Sequence, residues 1–144
     1  MSSEKERILA TLRKRPTFQA ALATISEDGS PWVRYVTGQV ADDLTIRVAT
    51  SAQSKKVRHI RSQPRVHLVC GEIPPQGEGP FFQIEGEAII STDVEEKRSI
   101  WFDRLTFFSG APDDPNWCVL RVRPDRIRIH SLTSMETDVW VRDR

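Results

Sequence analysis

Phe18-Gln19-Ala20-Ala21-Leu22-Ala23-Thr24-Ile25 reads as a strongly apolar strand, and the turn Ser26-Glu27-Asp28-Gly29-Ser30-Pro31 hands it to a second, Trp32–Val40. Asp, Gly and Pro packed between two apolar runs mark a hairpin connection. In the second run Trp32, Arg34, Val36 and Gly38 alternate with Val33, Tyr35, Thr37 and Gln39, so its two faces carry different chemistry. Ala41-Asp42-Asp43 is another tight turn, after which Leu44–Ala49 alternates as a third strand. Three strands joined by tight turns form a meander, whose open edges must be paired or closed.

Working outward, Ser54 to Ser62 reads as a short helix, Gln63-Pro64 breaks it, and Arg65–Gly71 returns as a strand. Glu72 to Pro80, rich in proline and glycine, is a loop. Phe81–Ser91 is a long strand in which Gly86 marks a bulge or a close approach. Thr92 or Asp93 caps a helix that continues to about Leu105. Phe107–Asn116 is irregular, and its Phe107-Phe108-Ser109-Gly110 run is either a flap or a packed loop. Trp117–Val122 and Arg126–Ser131 are closing strands separated by Pro124-Asp125, while Asp138–Val141 is an edge strand or part of a tail. Upstream, Ser2 or Ser3 caps a helix through about Lys14 with Ile8, Leu9 and Leu12 on one face, and Pro16 stops it. The expectation is a mainly β domain spanning 1–144, a small antiparallel barrel with peripheral helices.

Composition narrows the function classes. With 38% hydrophobic and 28% charged residues the 144-residue chain is an ordinary globular sequence. A net charge of +1 gives no global footprint for nucleic acid. No window approaches a membrane span and the N-terminus has no signal-like apolar stretch, so the expected location is cytoplasmic. Cys70 and Cys118 sit in apolar strands and read as reduced core thiols. His59, His67 and His130 lack metal-ligand spacing, so no metal site is expected; His59 reads as a surface or packing residue. Walker, Rossmann and nucleophile-elbow signatures are all missing. Glu95-Glu96-Lys97-Arg98 reads as a solvated helix face.

The chemistry gathers at Thr50-Ser51-Ala52-Gln53-Ser54-Lys55-Lys56, where the third strand hands over to a helix N-terminus. Free N–H groups and the positive dipole end favour an anion there, whereas lysines in a first helical turn oppose that dipole. A bound phosphate removes the conflict. Arg34 is the only cation inside the strand Trp32–Val40 and can face the same pocket as Ser54 and Lys56 if the three strands are adjacent. Trp32 or Trp140 can wall a flat aromatic ring.

With these residues in view, the chain resembles the pyridoxamine 5′-phosphate oxidase-like flavin-binding split barrels, particularly their short general stress protein 26 type. The likeness is carried by Ala21–Pro31, Trp32-Val33-Arg34-Tyr35-Val36, Val48-Ala49-Thr50, Ser54-Lys55-Lys56, Ile60–Val66 and Ile84-Glu85-Gly86-Glu87-Ala88. It implies a six-stranded antiparallel split β-barrel and a homodimer with FMN in clefts between subunits; related barrels take F420 or haem. It further implies that Arg34, Ser54, Lys55 and Lys56 hold the FMN phosphate, with Thr50 and the backbone of Val48 and Ala49 along the ribityl chain and ring. Gln39 stands where the oxidases carry lysine near the flavin ring. The oxidases' C-terminal Arg-x-His motif has no match in Ser131–Arg144, so the implied activity is that of a small flavin oxidoreductase of unknown substrate, and vitamin B6 oxidation is not expected. A non-catalytic flavin-binding stress or sensor protein, or an empty dimeric barrel, are the other classes.

Overall fold

The computed structural model describes residues 3–72, 77, 79–101, 111–131 and 137–143. Strands β1 (Phe18–Ile25) and β2 (Pro31–Val40) pair antiparallel from Phe18↔Gly38 to Ile25↔Pro31. Their turn closes through Ser26 N–H donating to Ser30 O at 2.9 Å and Gly29 N–H to Ser26 O at 2.9 Å. Gly29 takes φ 88°, a conformation that favours glycine.

Strand β3 is Ile46–Ser51 instead of Leu44–Ala49. Leu44 sits in the preceding turn at φ 72°, with its N–H on Ala41 O, yet it is fully buried. Its apolar side chain therefore belongs to the core while its backbone belongs to the turn. Helix α2 (Lys55–Ser62) follows, then β4 (Arg65–Gly71), β5 (Phe81–Ser91) and α3 (Val94–Ser99). The Asp93 carboxylate accepts from Glu96 N–H and caps α3, which ends at Ser99; beyond Trp101 the expected continuation to Leu105 lies outside the described residues. The Phe107–Gly110 run lies outside the described residues.

One strand, β6 (Trp117–His130), replaces the two expected around Pro124-Asp125. A bulge against β5 absorbs the break: Glu85 opposes Arg126 while Gly86 opposes Pro124, leaving Asp125 as the extra residue. Proline has no N–H for the ladder, and a bulge is where a strand tolerates it. Strand β7 (Thr137–Val141) adds to β6 as an edge. The sheet order is β3-β2-β1-β4-β5-β6-β7, and β3 pairs with β6, so six strands close into an antiparallel barrel with one strand outside it.

Alternation decides the interior. Ala20, Leu22, Val48, Leu68, Phe82, Ile84, Leu120 and Ile127 fill it, joined by Ile8 and Leu12 from helix α1 (Ser3–Leu12). Full burial of each large side chain contributes roughly 1.5–3 kcal/mol. A satellite cluster of Ile100, Trp117 and Val119 packs with Ala49 and Trp101. Of the expected solvated face, Lys97 is buried and Glu96 half-buried. Glu96 pairs with Arg47 at 3.3 Å and Arg121 at 2.7 Å, and Lys97 donates to Asp114 O at 2.7 Å above the Trp117 ring. Because α3 is short, its charged middle lies against the sheet. Both cysteines are free and buried.

Candidate functional site

Strands β2 and β3 pair only from Gly38↔Val48 to Val40↔Ile46. Beyond that point Trp32–Thr37 has only β1 as a partner strand, and Ala49–Ser51 has only β6. The barrel is therefore parted along one seam. A turn carrying Ser54 N–H on Ser51 O at 3.1 Å brings the start of α2 to that seam. Val57, His59 and Ile60 form the buried face of α2, which packs on β1 and β5 and leaves Lys55 exposed and Lys56 half-buried.

Arg34 takes the inward register of β2, between Trp32 and Val36. Its Nη1 donates to Thr24 Oγ1 at 2.7 Å and to Leu22 O at 3.3 Å. Thr24 is fully buried and lies 2.9 Å from His59 Nδ1. A guanidinium only donates, so the Thr24 hydroxyl accepts from Arg34 and meets His59 Nδ1 with its remaining hydrogen-bonding capacity. His59 is thereby held behind Arg34 through its Nδ1 contact. Burial pushes the His59 pKa down, and the neighbouring charge of Arg34 pushes it further. The sequence reading missed Thr24 and His59 as partners of Arg34; their signal is one hydroxyl at the inward register of an apolar strand and one histidine on the apolar face of α2.

The other members assemble around this relay. Burial lowers the Lys56 pKa, and the Arg34 charge lowers it again. Burial also lowers that of Arg34. Neither cation has a carboxylate partner among the described residues. Thr50 Oγ1 and Ser54 Oγ stand 3.4 Å apart, and the Ser54 hydroxyl caps no N–H of α2 although its backbone occupies the cap position. Lys55 Nζ lies 5.0 Å from the centroid of the Trp32 ring, and His59 meets the same ring edge-on at 5.2 Å. Two desolvated cations that repel each other, an uncommitted hydroxyl and a helix N-terminus suit a compact dianion, which supplies the missing counter-charge.

Other expected residues divide. Val48 lines the barrel core and Ala49 the satellite cluster, so only their backbone is available at the seam. Trp32 joins the cationic cluster, whereas Trp140 packs on the main core beneath Arg142. The Gln39 side chain donates to Ile100 O at 3.3 Å. Among the described residues no group of three or more His, Cys, Asp and Glu could hold a metal ion. Burial pushes the Cys70 thiol up to about 12 and also raises Cys118, so neither is a thiolate nucleophile at neutral pH.

His59 sets a pH dependence. Its pKa is lower folded than unfolded, so the unfolded chain binds the proton first, and stability present at neutral pH is lost as pH falls through the ordinary histidine value of about 6.5. The loss approaches at most about 1.4 kcal/mol per pH unit. Thermal melts of the cofactor-free protein at pH 7 and 5 are expected to fall more steeply for the wild type than for His59→Asn. Equal slopes refute the assignment.

No described helix is long and apolar enough to cross a membrane. Comparison with known proteins matches residues 5–131 to the family Pyridoxamine 5′-phosphate oxidase. General stress protein 26 of Bacillus subtilis is 33% identical over 109 residues, covering 76% of each chain. The crystal structure of general stress protein 26 from Bacillus anthracis superposes with a TM-score of 0.76 at 28% identity, over 89% of this chain and 94% of that one. The same fold serves proteins named for different cofactors. They are an FMN-binding protein from Nostoc punctiforme (TM-score 0.72, 18% identity, 100% and 98% coverage), a haem-binding protein from Mycobacterium smegmatis (0.75, 18%, 98% and 59%) and an F420 reductase (0.62, 22%, 83% and 94%). At those identities the likeness is one of fold. The six-stranded barrel parted at the β2–β3 seam is thus a split barrel, and with the match over residues 5–131 the chain belongs to the pyridoxamine 5′-phosphate oxidase family.

Proposed function

We propose that this protein binds FMN as a small flavoprotein oxidoreductase, with the cofactor's phosphate at Arg34, Lys56 and the start of α2. The observation that carries the reading is the half-buried pair Arg34 and Lys56, each lowered in pKa partly or wholly by desolvation and neither neutralised by a carboxylate among the described residues. A terminal phosphate monoester brings the near-double negative charge this pair lacks. Ser54 and Thr50 add hydroxyls, Lys55 adds charge beside the Trp32 wall, and the Val48–Ala49 backbone borders the seam. When bound, FMN supplies reversible electron transfer; the protein supplies binding, orientation and electrostatics.

The alternatives fit less well. F420 offers a phosphodiester with a single charge, half of what the pair accommodates. Haem iron needs an accessible imidazole nitrogen, and His59 is buried with its Nδ1 engaged by Thr24. A second copy of the chain is proposed to complete the cleft. Supporting this, Val33 is 70% and Tyr35 82% exposed on the outer face of β2, directly beside the cluster.

Titrating FMN into the purified protein tests both parts. Expected are a saturable change in the flavin spectrum at one FMN per chain and a light-scattering mass of twice 16.5 kDa. A protein that leaves the FMN spectrum unchanged but shifts that of F420 or haem overturns the assignment, and a monomeric complex overturns the dimeric cleft. With FMN bound, turnover with electron donors separates an oxidoreductase from a non-catalytic flavin carrier.

A further inference from the structure

We infer that a second anion site lies on the outer face of the barrel, at the β5–β6 bulge, and takes a phosphorylated small molecule through Arg123, Arg126 and Arg142. The bulge creates the arrangement. On an unbroken strand Arg123 and Arg126 point to opposite faces, three residues apart. The extra residue Asp125 restores the alternation one step late, so Val122, Pro124 and Ile127 are buried while Arg123 and Arg126 are both exposed. Two guanidinium groups are thus re-aimed onto one surface, as bulges commonly re-aim side chains at functional positions.

Arg142 supplies the third. Its backbone N–H donates to Asp125 O at 3.0 Å and its Nε to Pro124 O at 2.7 Å, so it grips the bulge from β7. The guanidinium stacks over Trp140 at 5.5 Å, and its Nη2 is buried without a hydrogen-bond partner. A buried donor left unmade is costly, and an anion oxygen is the acceptor it lacks. The cavity these residues line has a volume of about 520 Å³, the size of a sugar phosphate or nucleotide site.

Charge accounting favours an anion. Of the carboxylates lining the cavity, Asp125 is held by Arg65 at 2.7 Å and Glu85 by Arg128. Arg123, Arg126 and Arg142 form no ion pair among the described residues; Glu85, opposite Arg126 and lowered in pKa by Arg128 first and Arg126 after it, offsets part of their charge, and Asp143 opposes them or accepts from a ligand hydroxyl. The site is separate from the cluster at Lys56. Arg65 follows the C-terminal end of α2, whereas Ser54 and Lys56 are at its start, roughly 12 Å away along an eight-residue helix.

The inference does not depend on the cofactor reading, and one experiment tells them apart. The ¹⁵N-labelled protein is titrated with inorganic phosphate at low ionic strength, with and without excess FMN. Saturable shifts are expected at the amides of Arg123, Asp125, Arg126 and Arg142 under both conditions. Arg126→Ala is expected to weaken phosphate at least tenfold while leaving FMN affinity unchanged, with partial recovery in Arg126→Lys. Arg126 is exposed, so the fold is expected to survive, and Arg123→Ala serves if it does not. Phosphate that moves none of these amides, or binds Arg126→Ala as it binds the wild type, overturns the site. Succinate binding more tightly than phosphate overturns the phosphorylated class.

Discussion

Arg34→Ala is expected to weaken FMN binding by roughly 1.5–3 kcal/mol, about tenfold to a hundredfold in Kd. The charge-assisted contacts of Arg34 and Lys56 act in a desolvated seam, where charges interact more strongly than at a surface. Removing one cation also relieves the repulsion felt by the other, since the Arg34 charge lowers the Lys56 pKa. That relief offsets the lost donation to Thr24 Oγ1 and Leu22 O, so the cofactor-free protein is expected to lose little stability while the complex is clearly weakened. Lys56→Ala should behave similarly, and the double variant should lose less than the sum of the two, because the residues share one ligand and one mutual repulsion. Calorimetry of FMN binding, with melting of the free proteins alongside, reads both quantities. Unchanged affinity in Arg34→Ala removes the phosphate site from this seam. Unchanged affinity in Lys55→Ala does not, because Lys55 is exposed over Trp32 and its charge is better screened.

Much of this seam was legible in the sequence because each residue announces itself locally. Lysines placed against a helix dipole, and a lone arginine in an apolar strand, are anomalies visible without a fold. The strand ends of β1, β4 and β5 were equally legible, since apolar runs there stop at Gly, Pro or Asp turns. Harder to read were positions where side chain and backbone obey different demands. Leu44 alternates like a strand residue and is buried like one, but its positive φ puts it in a turn. Pro124-Asp125 looks like the end of a strand, yet the ladder continues because a neighbouring strand accommodates the extra residue. Thr24 and His59 are ordinary by composition. Only tertiary packing of α2 on β1 joins them into a relay behind Arg34.

The bulge rests on a single glycine. A Cβ built on Gly86 would stand 2.3 Å from Arg123 O and 3.0 Å from Pro124 Cα, both on the facing strand's backbone. Backbone atoms of a paired strand cannot rotate aside as a side-chain tip can. Gly86→Ala must therefore either open the β5–β6 ladder or flatten the bulge, and the second course would turn Arg126 or Ile127 to the wrong face. The expected cost is about 3 kcal/mol, the upper end for overpacking, or a fall of roughly 10 °C in Tm for a chain of this length. Gly29→Ala is the matched comparison. That glycine, unlike Gly86, meets no steric neighbour within 4 Å, so only its positive φ is penalised, at about 1 kcal/mol. A Gly86→Ala protein that melts with the Gly29→Ala one would mean that the strands yield freely at this point. If it instead melts far lower and also loses the phosphate response of Arg126, then one close backbone approach sets both the continuity of the barrel wall and the aim of the arginines outside it.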